Sequence, residues 1–210
     1  RDLVRSRGLG DVYKRQNAIS NDYLYHNIGD SVALYTQDGK VLKQDEVLSY
    51  PCVGEDHPGL RYFRSVRTTG RNESTVVALF SAKLLNTGTS YMKMWMPASS
   101  DVSYFTALAP SAKTASSPYQ SKPSLVVTMR KEKPAVEEPF VVVYEPISDK
   151  LSTGLIESVD RIKLDSLGKK GCAIKVKTKE GDTFTLVNIL KDGPVILNNQ
   201  KCCGDFAIFA

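Results

Sequence analysis

Apolar and polar positions alternate with a period of two along much of this chain, most clearly in residues 91–110, YMKMWMPASSDVSYFTALAP. Met92, Met94 and Met96 alternate with Tyr91, Lys93 and Trp95, so an extended strand here carries thioethers on one face and a lysine between two aromatics on the other. Residues 97–101 interrupt the run and residues 102–108 resume it, which predicts a hairpin or a short strand connection. The pattern describes a sandwich strand with one face buried, and Trp95 and Tyr104 are candidate stacking surfaces for a sugar ring.

The flanking segments read as neighbours of that strand. Residues 22–27, DYLYHN, alternate Tyr23 and Tyr25 with Leu24 and His26, turn at residues 28–30 and resume in SVALY at 31–35. Asp38-Gly39 then lies between extended segments as a hairpin signal, so the domain is expected to open with paired strands. From residue 44 to residue 70 the alternation fades. Pro51, Gly54, Pro58 and Gly59 punctuate what reads as a long connection, the best loop candidate for a binding element. Residues 75–84, TVVALFSAKL, are almost continuously apolar and predict a strand covered on both faces. Residues 109–123 have no periodicity and read as an exposed excursion. Two further strands, at 124–129 and 140–144, are expected to be joined by KEKPAVEEP as a hairpin loop, with Val141, Val142 and Val143 marking a central buried strand.

Composition shifts at residues 148–154, where a boundary is expected. Beyond it, short strands at 156–164, 173–178, 183–190, 195–197 and 206–209 predict a small antiparallel meander in which Ile174 and Val176 oppose Phe184 and Leu186. The fold class is therefore all-β: the end of a large antiparallel β-sandwich over residues 17–147, followed by a small antiparallel β domain over residues 148–210 that stops inside a strand pattern.

Residues 6–16, SRGLGDVYKRQ, are the codon-by-codon translation of a transposase sequencing adapter, and Arg1-Asp2 fits the adapter's outer end. Residues 1–16 are accordingly expected to be an adapter-derived tail with no part in the fold. This changes the charge balance. The whole chain carries +5, but residues 1–16 hold five of its basic and two of its acidic side chains, leaving 23 against 21 and a net charge of +2. With its lysines scattered singly, the remainder lacks the basic footprint of a nucleic-acid binder. No apolar run approaches the roughly 20 residues of a membrane-spanning helix. The four cysteines, Cys52, Cys172, Cys202 and Cys203, form no C-x-x-C pair and have only His26 and His57 beside them, so neither a structural zinc site nor another metal site is expected. Free thiols are the default, with a Cys172 pairing to Cys202 or Cys203 as the alternative.

No catalytic constellation emerges from the residues themselves. Tyr25 and His26 adjoin in a patterned strand, where a hydrogen-bonded structural histidine is the commoner case than an acid, base or ligand. Arg61, Arg64 and Arg67, spaced by threes, would line a carboxylate or sulfate site on a helix, whereas on a regular strand Arg64 faces away from the other two. The sequon Asn72-Glu73-Ser74 is a formal glycosylation signal of little weight alone. Substrate-binding candidates are thus Tyr25, His26, Arg61, Arg64, Arg67, Trp95 and Tyr104.

Taken together, DYLYHNIGDSVAL (22–34), YMKMWMPASSDVSYFTALAP (91–110) and PFVVVYEP (139–146), in that order and spacing, resemble the C-terminal half of heparinase II/III-type polysaccharide lyases. The resemblance implies an α/α-toroid upstream, a β-sandwich and a small terminal β domain in an exported, periplasmic or secreted bacterial enzyme. It implies β-elimination at a uronate, with an acidic polysaccharide as partner, no cofactor in this portion, and catalytic groups drawn mostly from upstream. No family catalytic residue or metal ligand matches a position here. A free-standing carbohydrate-binding or adhesion sandwich, and a structural accessory domain, are the competing readings.

Overall fold

The structure, a computed structural model, describes residues 25–27, 32–48, 63–84, 88–109, 124–132, 135, 139–148, 154–162, 171–189, 195–197, 200–202 and 206–210. Among these residues there is no helix. In chain order the strands are β1 (Tyr25–Asn27), β2 (Leu34–Thr36), β3 (Asp45–Leu48), β4 (Arg64–Arg71), β5 (Val76–Leu84), β6 (Gly88–Met96), β7 (Val102–Ala109) and β8 (Ser124–Lys131). They continue as β9 (Val143–Ile147), β10 (Ile156–Ile162), β11 (Gly171–Thr178), β12 (Thr183–Ile189), β13 (Val195–Leu197), β14 (Gln200–Cys202) and β15 (Phe206–Phe209). A central sheet has the order β1-β5-β6-β9 with β2 also on β5, a front sheet β3-β4-β7-β8, and a back sheet β10-β11-β12-β15; β13 and β14 pair with each other. All pairings are antiparallel.

The apolar side chains show how the sheets stack. Leu34, Val76, Ala78, Met94 and Met96 of the central sheet meet Val102 and Tyr104 of the front sheet, forming the sandwich core. Successive strand residues point to opposite faces, so Val77 and Trp95 point the other way, where they pack with Val159, Ile174 and Val176 of the back sheet. The central sheet is thus apolar on both sides. This accounts for the unbroken hydrophobicity of β5, whose Val76, Val77 and Ala78 are all buried. It also extends the expectation for β6: Met96 is fully buried on one face while Trp95, at 3% exposure, is buried on the other. The back sheet and the front sheet each carry a second apolar layer, Ala173, Val187 and Ile189 in the first and Val66, Phe105 and Ala107 in the second.

Several connections differ from the expected ones. β6 lies in the central sheet and β7 in the front sheet, so of the two alternatives residues 97–101 form the short strand connection, which crosses the sandwich, and not the hairpin. The same holds for the segment between β8 and β9, which leads from the front sheet back to the central one. β9 is an edge strand, and Pro146 within it, which has no N–H to give to a ladder, suits that place. Val141 and Val142 precede it without joining a strand. β1 and β2 do not pair with each other; they occupy opposite ends of β5, at residues 82–84 and 76–78. The connection expected over 44–70 contains two strands, β3 and β4, that pair in the front sheet.

The turn at Asp38-Gly39 forms as expected: Thr36 N–H donates to Lys40 O at 2.8 Å and Gly39, at φ 88°, donates to Thr36 O at 2.9 Å. Thr178, Gly181 and Asp182 repeat the arrangement between β11 and β12. In both turns the amide of the last residue donates to the threonine hydroxyl, at 3.1 Å. In the back sheet Ile174 stands opposite Leu186 and Val176 opposite Phe184, the register expected from their alternation.

Leu34 is fully buried between the central and front sheets, so Leu34→Ala is expected to cost about 2–5 kcal/mol of unfolding free energy. Denaturant unfolding followed by fluorescence measures it. A loss under about 1 kcal/mol would mean that the two sheets do not pack through this side chain.

Candidate functional site

The polar centre of the molecule lies where the back sheet meets the central one. β6 presents Trp95, Lys93 and Tyr91 in succession to the back-sheet side, and β9 places Glu145 directly across from Lys93. Glu145 is 6% exposed. Burying a carboxylate requires hydrogen bonds to each oxygen, and two N–H groups supply them: Trp95 Nε1 donates to Oε2 at 3.0 Å, and the Ile156 amide donates to Oε1 at 2.8 Å. The first donor belongs to the central sheet and the second opens the back sheet. Glu145 therefore joins the two layers. A side chain at Gly154 would strike this carboxylate, so the approach of the chain into β10 depends on glycine there.

Two ammonium groups stand near this carboxylate. Lys93 Nζ is 5.8 Å from the centroid of the Trp95 ring, within cation–π range. Burial lowers the Lys93 pKa below the ordinary lysine value, with Glu145 acting against that shift and Lys179 adding to it. Lys179 reaches in from the turn after β11 and donates to Gly154 O at 2.9 Å.

A second buried polar group closes the end of the sandwich. Lys131 Nζ lies 3.2 Å from Asp101 Oδ1 with side chains 3% and 7% exposed, and Ser99 Oγ donates to the same oxygen at 2.6 Å. The Glu132 amide also donates to Asp101 O, so the crossing segment is tied to the end of β8. Charges buried this deeply survive only when paired. The cluster fastens the fold.

The substrate-binding candidates fall in separate places. Trp95 and Tyr104 are buried in two different apolar layers and turn no ring face to solvent. Arg64 and Arg67 are exposed on β4. A bulge at Ser65, which takes φ 49°, pairs Arg64 with Leu108 and Arg67 with Thr106. Those partners share a face of β7, so the two arginines stand toward the same side, where a regular strand would have opposed them. Tyr25 and His26 lie on β1 with His26 opposite Lys83; their side chains, and all of Arg61, lie outside the described residues. Asn72 Oδ1 accepts from the Ser74 amide at 3.1 Å and from its hydroxyl at 2.8 Å, which makes the sequon asparagine a turn residue. Cys172 is a half-buried free thiol whose pKa is pushed up by burial, with Arg161 partly offsetting; Cys52 and Cys203 lie outside the described residues. Glu145 was not among the sequence candidates. Its signal was a lone acid in the apolar run VVVYEP.

Among the described residues no group of three or more His, Cys, Asp or Glu side chains is placed to hold a metal ion, and no helix is long and apolar enough to cross a membrane.

No protein-family model matches the chain, and no solved structure matches it. The chain is 34% identical, over 142 residues, to an endo-acting ulvan lyase of Formosa agariphila. The match takes in 65% of this chain and 17% of that enzyme, so the chain spans under a fifth of the relative's length. An all-β sandwich chain with this identity is related to a polysaccharide lyase.

Two expectations follow. Glu145→Ala leaves the Trp95 and Ile156 N–H groups unsatisfied at about 1–3 kcal/mol each, and should lower stability by about 2–5 kcal/mol while speeding amide exchange at Ile156 more than at Val66 in the front sheet. Equal acceleration at both would deny Glu145 its place as the join. Tyr104 has a buried Oη without a hydrogen-bond partner among the described residues, and burial foremost pushes its pKa up to about 12 from 10.0, Arg161 opposing and Asp101 reinforcing. A pKa raised on folding contributes stability below pH 10 that is lost as pH climbs toward 12, about 2–3 kcal/mol in all. Tyr104→Phe should match wild type within about 1 kcal/mol at neutral pH and flatten the alkaline limb of a stability–pH curve; an unchanged limb would contradict this.

Proposed function

We propose that this chain is the sandwich portion and small β domain of an exported polysaccharide lyase of the heparinase II/III type, acting by β-elimination on a uronate-containing glycan. The observation that carries the reading is the 34% identity over 142 residues to an endo-acting ulvan lyase. The three segments on which the heparinase II/III resemblance rests overlap β1, β2, β6, β7 and β9, and Leu34, Met94, Met96, Val102 and Tyr104 from them lie in the sandwich core. The periplasm or the outside of the cell is the proposed location, where such a polymer is met.

Elimination needs the uronate carboxylate neutralised, the C5 proton taken by a base and a proton returned to the departing glycosidic oxygen. Each positioned acid or base contributes about 10²–10⁴-fold, and a cleft adds the benefit of orientation. In this chain the buried ionisable groups Glu145, Lys131 and Asp101 are engaged in holding sheets together. The elimination chemistry is therefore assigned mostly to parts of the enzyme outside this chain, with no cofactor or metal in this portion. The chain's share is to carry an acidic polysaccharide and to support the cleft.

The test is the rise in ultraviolet absorbance of the unsaturated product. The purified chain, offered heparin, chondroitin, hyaluronan, alginate and ulvan in turn, should give no turnover. Grafted in place of the matching stretch of the Formosa agariphila enzyme, it should retain elimination within about a hundredfold, the scale of one catalytic group. A folded graft without activity would overturn the lyase reading. Turnover by the chain alone that vanishes in His26→Ala or Tyr25→Phe would move the catalytic centre into this chain.

A further inference from the structure

Trp95 and Tyr104, the aromatics that the sequence offers to a sugar, are core residues, so the rings that the fold leaves exposed decide where a sugar can be met. In the sandwich these are Phe140 and Tyr144, at 46% and 47% exposure. The other exposed aromatic among the described residues, Phe206, belongs to the back sheet.

Backbone alternation sets Phe140 and Tyr144 on one side. Val141 and Val143 pack with the back sheet, whereas Val142 packs into the sandwich core and Tyr144 stands opposite Met94 of that core. Successive residues of an extended chain face opposite ways, so Phe140, one step before Val141, shares the sandwich side with Val142 and Tyr144. Four extended residues separate the two rings by about 13 Å, more than the width of one sugar.

These rings lie along a free backbone edge. β9 is the outermost strand of the central sheet, and its other side pairs with no strand among the described residues. A proline suits a paired strand where its missing N–H lies on the unpaired side, which turns Pro146 outward. In an antiparallel strand residues two apart turn their backbone groups the same way. The Tyr144 N–H and C=O and the Pro146 C=O therefore border the free edge. That combination selects an occupant. A docking β-strand would need a donor at Pro146 to continue its ladder, and proline on an edge guards against such addition. A sugar ring has the matching make-up: C–H groups on its faces pack on aromatic rings, and hydroxyls on its rim both donate to a carbonyl and accept from an N–H.

We propose that the free edge of β9 is a glycan-binding site, in which Tyr144 and Phe140 each stack on a sugar ring of a uronate-containing polysaccharide and the backbone of Tyr144 and Pro146 meets the sugar hydroxyls. The site rests on the lyase reading and deepens it, since it names the residues by which this chain holds its polymer through sugar rings and not through charge.

Isothermal titration calorimetry of the whole chain with ulvan and with polygalacturonate tests it, at low salt and at about 1 M salt, where exposed charges are screened beyond about 3 Å. Binding to one or both is expected, with an affinity that changes less than threefold between the two salts. Phe140→Ala with Tyr144→Ala should weaken binding at least tenfold with an unchanged melting temperature, Tyr144→Phe should stay within threefold, and Phe206→Ala should match wild type. In the wild-type chain the Tyr144 ring proton resonances should shift as glycan is added, which carries the test should the double variant not fold. No binding by wild type, undiminished binding in the folded double variant, equal loss in Phe206→Ala, disappearance of binding at high salt, or unmoved Tyr144 resonances at saturating glycan would each overturn the site. So would a dimer that forms with rising concentration and is lost in the double variant, since the edge would then serve a second copy. The lyase reading is decided apart from this, by elimination in the grafted enzyme: an active graft whose chain binds no glycan loses the site and keeps the reading, and glycan binding with a folded but inactive graft does the reverse.

Discussion

The constraint on which the rest of this structure depends is that its central sheet is covered on both faces. Where it is covered the sheet has no solvent side, so the first residues of β5, Val76–Ala78, and the second half of β6 must be apolar or bring their own hydrogen-bond partner. Val76, Val77, Ala78, Met94 and Met96 satisfy the first condition. Trp95 satisfies the second only because Glu145 stands on the neighbouring strand with an oxygen for the indole N–H. That requirement propagates. The carboxylate needs another donor, which is the first amide of the back sheet, and it needs room, which is Gly154. One buried aromatic nitrogen thus determines how the back sheet begins.

The front sheet meets a different version of the same problem. Its strands enter from crossing segments, and a crossing segment brings backbone and polar side chains into the end of the core. The Asp101–Lys131 pair with Ser99 neutralises one such entry. Thr106, nearly fully buried, donates to Gln44, whose amide in turn donates to Val32 O at 2.9 Å. Tyr104 is the exception, with a hydroxyl that finds no partner among the described residues. These polar contacts link segments far apart in sequence, so they specify how the sheets pair as much as they stabilise them.

The back sheet overlies the apolar end of the central sheet and leaves the Lys93–Tyr91 end half-open, so the same strand that builds the core also presents the polar face.

Much of the fold was legible in the residues. Alternation in YMKMWM, the unbroken run TVVALF and the Asp38-Gly39 turn are local signals, fixed by the two-residue repeat of a strand and by the φ that a glycine accepts, and they appear in the structure as β6, β5 and the turn after β2. What alternation cannot say is which sheet a strand joins. The crossing between β8 and β9 reads as a hairpin, and the one at residues 97–101 as a hairpin or a short strand connection, because pairing partners are chosen by long-range packing. The same limit governs the candidate site. Trp95 and Tyr104 have the composition of a sugar platform, and only the arrival of the back sheet and the closure of the sandwich make them core. The arginines of β4 share a side only because Ser65 bulges. Lys93 was visible as a lysine between aromatics, whereas its carboxylate partner, 52 residues later by number, is set across from it by tertiary register alone. Local periodicity determined which residues form strands and which way they face; the stacking of three sheets decided which of those faces are buried, because burial is a property of the layer that arrives and not of the strand that receives it.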